Sequence, residues 1–313
     1  MAIKGEKISL GVFISDMVLR IIEAQRDNGD VKILRVAETE LEEPFSASQI
    51  SRIDPGIFSQ AINKLVEQEG MLPGAADLAI DRRMVIEQTV TFDSDIDKPF
   101  LLDHLEWEAG QLLISDRDDY NVDFETITPL KTGFERYLVV AMRKQLIQYI
   151  QDVFNQSSLT LTSIDLDKIS AIKAFKATQN NDGLSVLVNC TQEVYDIMLL
   201  YNGNFVTSHE LSYKENPIKG SDPIKVVADI YQTYNSLQNQ IRDFLDTDSL
   251  ENVYFFGENF KPDFLNHFEQ MNTRQKPVHF NPFTSLPLDL DNKSQELIER
   301  YPERFVFCLG MVL

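Results

Sequence analysis

Residues 9–37, SLGVFISDMVLRIIEAQRDNGDVKILRVA, read as three apolar strands joined by two short turns. The second turn falls at Asn28-Gly29, a pair typical of type I′ hairpins because both residues tolerate a positive φ. Residues 185–212, SVLVNCTQEVYDIMLLYNGNFVTSHELS, repeat this order, with Asn202-Gly203 at the second turn. The repeat predicts one architectural unit used twice, with a cleft between the two halves.

Length and composition predict a globular protein with two domains. With 313 residues, 43% of them hydrophobic, the chain is long enough for two domains with separate cores. The apolar run 305–313 is too short to span a bilayer, and the N-terminus has no signal-peptide core, so we expect a cytoplasmic protein. Cys190 and Cys308 lie in apolar runs, which favours buried free thiols in a reducing compartment.

The net charge of −20 limits the partners. Lysine and arginine do not cluster, so phosphate backbones and anionic lipids would be repelled, and we expect neither nucleic-acid binding nor direct membrane insertion. The acidic stretches around Asp93–Asp97 and Asp116–Asp119 read as solvated loops.

The order of elements predicts three units. Asp54 and Pro55 start a helix that Gly70 ends, and 76–81 reads as a buried strand. A strand–helix–strand–strand–helix piece then predicts an inserted subdomain at 83–158. We therefore expect a first domain from 1–82 and 159–180, the insertion, and a second domain over 181–313.

Taken in order, these segments resemble the PilM family, the actin-like cytoplasmic components of type IV pilus assembly. The likeness covers nearly the whole chain, and its insertion favours the PilM and FtsA branch over sugar kinases. It is carried by LGVFISDMVLRIIEA (10–24), DRRMVIEQTVTFDSD (81–95), FLLDHLEWEAGQLL (100–113) and FVFCLGMVL (305–313). The resemblance implies an α/β fold, with actin-like (ribonuclease H-like) duplicated domains and a small inserted α+β subdomain.

The resemblance also points to nucleotide-cleft positions. ATP-binding relatives carry an aspartate and a Gly–Thr/Ser turn in the first hairpin, an Asp and a Gly in the second, and a Gly-Gly adenosine loop. The matching positions here are Ser15, Asp16 and Met17 in the first hairpin, Asn189 and Thr191 in the second, and Gly257 in the adenosine loop. The glycines of both hairpins are lost, which adds a Cβ where a phosphate must approach the backbone.

Asp16 is the heavier obstacle to nucleotide binding. A carboxylate about 5 Å from a phosphate, at an effective dielectric near 20, costs roughly 3 kcal/mol for each unit charge. Asp16 is therefore interpreted as an ordinary turn residue, and the alternative is a magnesium site with Asn189 as second ligand. We expect no cofactor, with ATP and magnesium as the alternative.

Other chemistry finds no support in the sequence. It contains no G-x-S-x-G elbow, Walker loop or G-x-G-x-x-G fingerprint, and the four histidines lack metal-ligand spacing. Trp107, between Glu106 and Glu108 on the inserted helix, is interpreted as a core or edge residue of the subdomain. The alternative is an anchor for a partner.

The leading functional prediction is a non-catalytic scaffold, a pseudo-ATPase lying at the inner membrane through its partners. The resemblance implies that the cytoplasmic tail of a PilN-like inner-membrane protein docks in a groove between the first domain and the insertion. The alternative is a magnesium-dependent ATPase or kinase with an unorthodox site. Without nucleotide, Phe13 and Met17 are expected to fill part of the cleft, unless Phe13 faces a sheet core instead.

Overall fold

The computed structural model describes residues 7–27, 30–95, 98–130, 132–179, 182–191, 194–213, 222–245, 250–271 and 274–313. Its strands are β1 (Lys7–Asp27), β2 (Asp30–Phe45), β3 (Ala75–Ile80), β4 (Ile86–Asp93), β5 (Tyr120–Ile127), β6 (Phe134–Arg143), β7 (Thr160–Leu166), β8 (Leu184–Cys190), β9 (Val194–Tyr201), β10 (Asn204–Ser212), β11 (Asn252–Phe256) and β12 (Lys276–His279). Its α-helices are α1 (Pro55–Gln68), α2 (Lys98–Leu112), α3 (Lys144–Asn155), α4 (Asp167–Thr178), α5 (Pro223–Ile241), α6 (Asp263–Met271), α7 (Asn292–Arg300) and α8 (Val306–Val312).

The first sheet has the order β2-β1-β3-β7. Leu10–Ile14 of β1 pairs in parallel with β3, and Val18–Asp27 pairs antiparallel with β2. Asp16 lies between these segments with a φ of 44°, at the place where the sequence predicts the first turn. The predicted Asn28-Gly29 turn lies outside the described residues, although Asp27 and Asp30 pair on either side of it.

The second sheet, β10-β9-β8-β11-β12, begins with the predicted meander. Asn202 and Gly203 have φ values of 50° and 72° and connect β9 to β10, which confirms the type I′ hairpin. The first helix is confirmed as well, because the Asp54 side chain caps α1 at Gly56 and Gly70 follows its end with a φ of 60°.

The insertion forms a three-stranded antiparallel sheet, β4-β6-β5. Helix α2 covers it by burying Leu105 and Ala109 against Val90, Tyr137 and Val139. Helix α3 instead packs its apolar side chains into the same core as α1 and the first sheet. The limits 83–158 stay a prediction for the domain boundary, while the packing of α3 ties the end of that segment to the first domain.

Helices α4 and α8 connect the two halves through one continuous apolar core. Phe13 of β1 lies 4.7 Å from Phe307 of α8, between ring centroids, in a cluster that also contains Leu187 and Phe256 of the second sheet. Gly310 lets α8 approach α4 closely, because an added Cβ would collide with the Ser170 carbonyl. The halves therefore share a core in addition to their separate ones.

The burial of single side chains agrees with some of the sequence predictions and differs from others. Cys190 and Cys308 are buried free thiols, as predicted. Phe13 belongs to the shared core, which confirms the alternative for that residue, whereas Met17 is 42% exposed and does not fill the cleft. Trp107 is 59% exposed, so it is not a core residue of the subdomain, and its interpretations as an edge residue or a partner anchor stay predictions. Among the described helices, none is long and apolar enough to cross a membrane.

Candidate functional site: the interdomain cleft and a two-edged groove

The first turn is held by partners within its own domain. The Ser15 hydroxyl donates to Asp81 at 2.9 Å, and Arg83 donates to the Asp16 carboxylate at 2.6 Å. Arg83 also pairs with Asp81, whose side chain caps the 3-10 turn Arg82–Met84 after β3. Burial acts to raise the pKa of Asp81, but the hydrogen bonds and charge of Arg83 hold it below its usual value. Arg83 thus neutralises the Asp16 carboxylate, which the sequence analysis had treated as an obstacle to a bound phosphate.

Arg82 connects the two halves. From the 3-10 turn of the first domain its guanidinium reaches Asp196 on β9 at 2.9 Å and also pairs with Glu210 on β10. Burial opposes the charge of Arg82, but Asp196 and Glu210, with Asp167 and Glu87, raise its pKa above the ordinary value. This ion-pair cluster crosses the cleft.

The start of α4 completes the same cluster. The Lys168 ammonium donates to Glu87 at 2.6 Å and to the Ser208 hydroxyl on β10 at 2.9 Å. Burial, together with the neighbouring carboxylates Asp81 and Asp196, raises the pKa of Asp167 to about 8. Asp167 is therefore mostly protonated at neutral pH.

The second-half positions lie at the end of β8. The Thr191 hydroxyl donates to the Val194 carbonyl at 2.7 Å and so closes its own turn. Gly257 has a φ of 102°, and an added Cβ would lie 2.5 Å from the Asn189 Oδ1 atom. That Oδ1 atom is buried and, within the described part of the chain, accepts no hydrogen bond. The structure therefore brings Asn189 and Gly257 together.

The predicted adenosine loop is also tied to the first half. Glu258, next to Gly257, accepts from the Arg20 Nη1 atom at 2.7 Å, while the Arg20 Nε atom donates to Glu38 at 2.5 Å. Burial acts to lower the pKa of Arg20, but Glu258 and Glu38 raise it. Together with Arg82, this buried arginine gives the cleft a second ion-pair connection.

The sequence analysis named the turn and loop positions of the cleft but missed the charged residues that form ion pairs there. No role in the cleft was predicted for Arg20, Arg82, Arg83, Asp167 or Lys168. Among the described residues, no group of three or more His, Cys, Asp or Glu side chains is placed to hold a metal ion. Nor, within those residues, does any hydrogen bond or ion pair join Asp16 to Asn189.

A separate groove of about 870 Å³ lies between the first sheet and the insertion. Two strands flank it, β7 at the edge of the first sheet and β5 at the edge of the inserted sheet. Its lining mixes apolar residues, among them Val140, Ile147, Leu161 and Ile164, with polar ones that include the acidic residues Asp123, Glu125 and Asp165. The groove lies where the resemblance implies that a partner peptide docks.

Comparisons with known proteins agree with this architecture. A solved structure described as a PilM-PilN type IV pilus biogenesis complex aligns over 98% of both chains, with 16% identity and a TM-score of 0.73. A Bacteroides thetaiotaomicron protein with an actin-like ATPase fold and unknown function covers 95% of this chain and 97% of its own, with 10% identity and a TM-score of 0.51. No curated protein sequence matches significantly.

These likenesses show an actin-like fold, as the sequence predicted. The family model for the type IV pilus assembly protein PilM matches residues 11–213, which is more than half of the chain. The chain therefore belongs to the PilM family of type IV pilus assembly proteins.

Proposed function

We propose that this protein is a non-catalytic scaffold at the cytoplasmic face of the inner membrane. In this proposal, the groove between β5 and β7 binds an extended cytoplasmic segment of a PilN-like protein. The structural relative is a PilM-PilN complex, which supports a partner of this class. The observation that carries the proposal is the groove itself, which runs between two strand edges and contains apolar residues of β6, β7 and α3.

The strand edges supply the means of binding. Among the described strands, β7 pairs only with β3 and β5 only with β6, so each presents an edge of backbone N–H and C=O groups. An extended peptide can add to such an edge, gaining backbone hydrogen bonds while alternate side chains enter pockets. Leu161 and Ile164 on β7, with Ile147 on α3, form the apolar wall that would receive those side chains.

The charges of the groove define the segment further. Asp123 and Glu125 on β5 are exposed along one side, and Asp165 lies on β7. Lys173 pairs with Asp165 at 2.5 Å, so the uncompensated charge is concentrated on the β5 side. The chemistry therefore favours a segment with alternating apolar residues and at least one lysine or arginine facing β5.

The absence of catalysis is part of the same proposal. Arg83 pairs with Asp16, Arg82 with Asp196, and Arg20 with Glu258, so the chain's own arginines already neutralise these acidic groups of the cleft. A nucleotide with magnesium would have to displace these ion pairs, of which Arg82–Asp196 is largely shielded from water and Arg83–Asp16 is about half exposed. We therefore expect the cleft to hold the halves together and to bind no cofactor.

Calorimetry with the cytoplasmic N-terminal peptide of a PilN-like protein from the same organism tests the docking proposal. Leu161 on β7 lines the groove and is only partly buried, so Leu161→Ala should weaken peptide binding about tenfold. Ile164→Arg should weaken it further by blocking the apolar wall. Phe244→Ala is the matched control, because Phe244 is 49% exposed outside the groove lining.

The expected result is saturable heat for the wild type and Phe244→Ala, with weaker binding for both groove variants. No heat above dilution at high micromolar peptide would contradict docking. Equal binding by all four proteins would place the segment elsewhere on the surface.

A further inference from the structure

Helix α2 carries an apolar face that packs against no other described element. Phe100 is 61% exposed and Trp107 is 59% exposed. They are seven residues apart, which places them on the same side of the helix about 10 Å apart along its axis. Ile114, just beyond the helix end, is 82% exposed. The opposite side of α2 already supplies the packing through Leu105 and Ala109, so folding of the insertion does not require the outer face.

This outer face is surrounded by acidic residues. Residues 100–119 contain six aspartates and glutamates, one arginine and no lysine. Glu106 and Glu108 lie about 100° to either side of Trp107 around the helix, and Asp103 lies between Trp107 and Phe100. Arg117 is already paired with Glu106 at 3.3 Å. Two large exposed rings on one side of a helix, rimmed by carboxylates, are typical of a surface that binds a partner.

The face is separate from the groove of the proposed function. The groove is lined from the insertion by β5 and β6, and its described lining includes no residue of α2. A partner segment in the groove would therefore leave Phe100 and Trp107 uncovered.

We infer that this α2 face, formed by Phe100 and Trp107, is a second docking surface for a basic amphipathic helix of a protein partner. The apolar stripe of such a helix would cover Phe100 and Trp107, as helices do when they bind in register at i, i+3, i+4 and i+7. Its lysines and arginines would meet the flanking carboxylates Glu106 and Glu108. Aromatic anchors, above all tryptophan, supply much of the binding energy at such interfaces.

Charge decides against two other occupants. An anionic membrane leaflet would repel the six carboxylates of this segment. A second copy of the chain packed through the same face would bring two acidic rims together, and juxtaposed like charges oppose association. A helix with one apolar and one cationic side can cover the two rings and also pair with the carboxylates.

The chain contains a single tryptophan, so the intrinsic fluorescence of the full-length protein reports on this face directly. The probe is a synthetic leucine–lysine peptide that forms an amphipathic helix. Its control has the same composition, scrambled so that the leucines lie all round the helix. The amphipathic peptide should shift Trp107 emission to the blue and saturate, and the scrambled peptide should bind at least tenfold more weakly.

Two variants localise the effect while keeping the tryptophan. Phe100→Ser should weaken the amphipathic peptide about tenfold without changing any charge. Phe244→Ser removes a phenylalanine that is 49% exposed elsewhere on the protein and should leave binding unchanged. Circular dichroism of both variants should match the wild type, because neither ring belongs to the described apolar cores.

Four outcomes would overturn the inference. Equal binding of the scrambled peptide, or equal loss in both variants, would reduce the effect to attraction between opposite net charges. A blue shift with phosphatidylglycerol vesicles in place of peptide would make the face a membrane contact. A blue shift on concentrating the protein alone would make it a contact between two copies.

Discussion

The Arg82 Nη1 atom lies 2.9 Å from the Asp196 Oδ1 atom, and this ion pair joins the turn after β3 to the first hairpin of the second half. Both side chains are largely buried, at 12% and 7% exposed. Breaking a buried pair by removing one partner is costly, since the remaining charge loses its compensation in a dry environment. The pair therefore couples the stability of the fold to the contact between the two halves.

Arg82→Met should lower the free energy of unfolding by about 3 kcal/mol, because it leaves Asp196 buried with only Lys168 nearby as a cation. Urea unfolding at neutral pH measures the loss. The double variant Arg82→Met with Asp196→Leu should recover most of it, since no uncompensated charge remains. As a control, Lys32→Met breaks the exposed Lys32–Asp289 pair and should cost less than about 1 kcal/mol. Equal losses in both single variants would contradict a special role for Arg82.

The raised pKa of Asp167 makes the stability of the fold depend on pH. Its folded-state pKa of about 8 lies above the ordinary aspartate value, so the folded state binds more protons than the unfolded state between these two values. The contribution of this group to stability is therefore fully present in acid and is lost as the pH rises through 8.

For the wild type, Asp167 should contribute a fall in the free energy of unfolding of about 2 kcal/mol between pH 6 and pH 8. Asp167→Asn keeps an oxygen that can accept from the Lys168 amide and removes the titration. Urea unfolding at pH 6, 7 and 8 should then show a smaller decline in the variant, which becomes the more stable protein at pH 8. Parallel slopes in the two proteins would contradict a raised pKa.

Local sequence patterns predicted most of the strands and helices. The ion pairs of the cleft were not predicted, because they join residues that are far apart in the sequence. The Asn202-Gly203 hairpin and helix α1 depend on neighbouring residues, so their signals lie in short stretches of sequence. Arg82 instead meets Glu210 from 128 positions away, a distance that no turn or periodicity encodes. The role of Arg82 in the cleft was accordingly absent from the sequence analysis.

Trp107 shows a second limit of sequence patterns. Helix α2 has apolar residues on two sides, Leu105 and Ala109 inward and Phe100 and Trp107 outward. An apolar residue type alone does not say which side of the helix it takes, and Trp107 lies about 200° around the helix from Leu105, which is on the side that faces the sheet. The position of Asp16 was predicted correctly, yet its partner Arg83 was not, because the two are brought together only when β3 pairs beside β1.

Two glycines in helices should respond oppositely to alanine. Gly310→Ala in α8 places a Cβ against the Ser170 backbone, so the helices must separate and the loss should be about 3 kcal/mol. Gly110→Ala in α2 meets no atom within 4 Å and should raise stability by about 0.5–1 kcal/mol through helix propensity. Urea unfolding of both variants measures the difference. A neutral Gly310→Ala would contradict the close packing of α8 on α4.

Nucleotide binding distinguishes a non-catalytic scaffold from a magnesium-dependent enzyme. A ligand present at a hundred times its dissociation constant stabilises the native state by about 2.7 kcal/mol, which would raise the melting temperature by several degrees. For the scaffold we expect no shift with ATP and magnesium, since Asp16 is paired with Arg83 and the Thr191 hydroxyl closes its own turn. Asp16→Ala should likewise give no shift. A shift of several degrees in the wild type that Asp16→Ala abolishes would instead establish a magnesium–nucleotide site at the first turn.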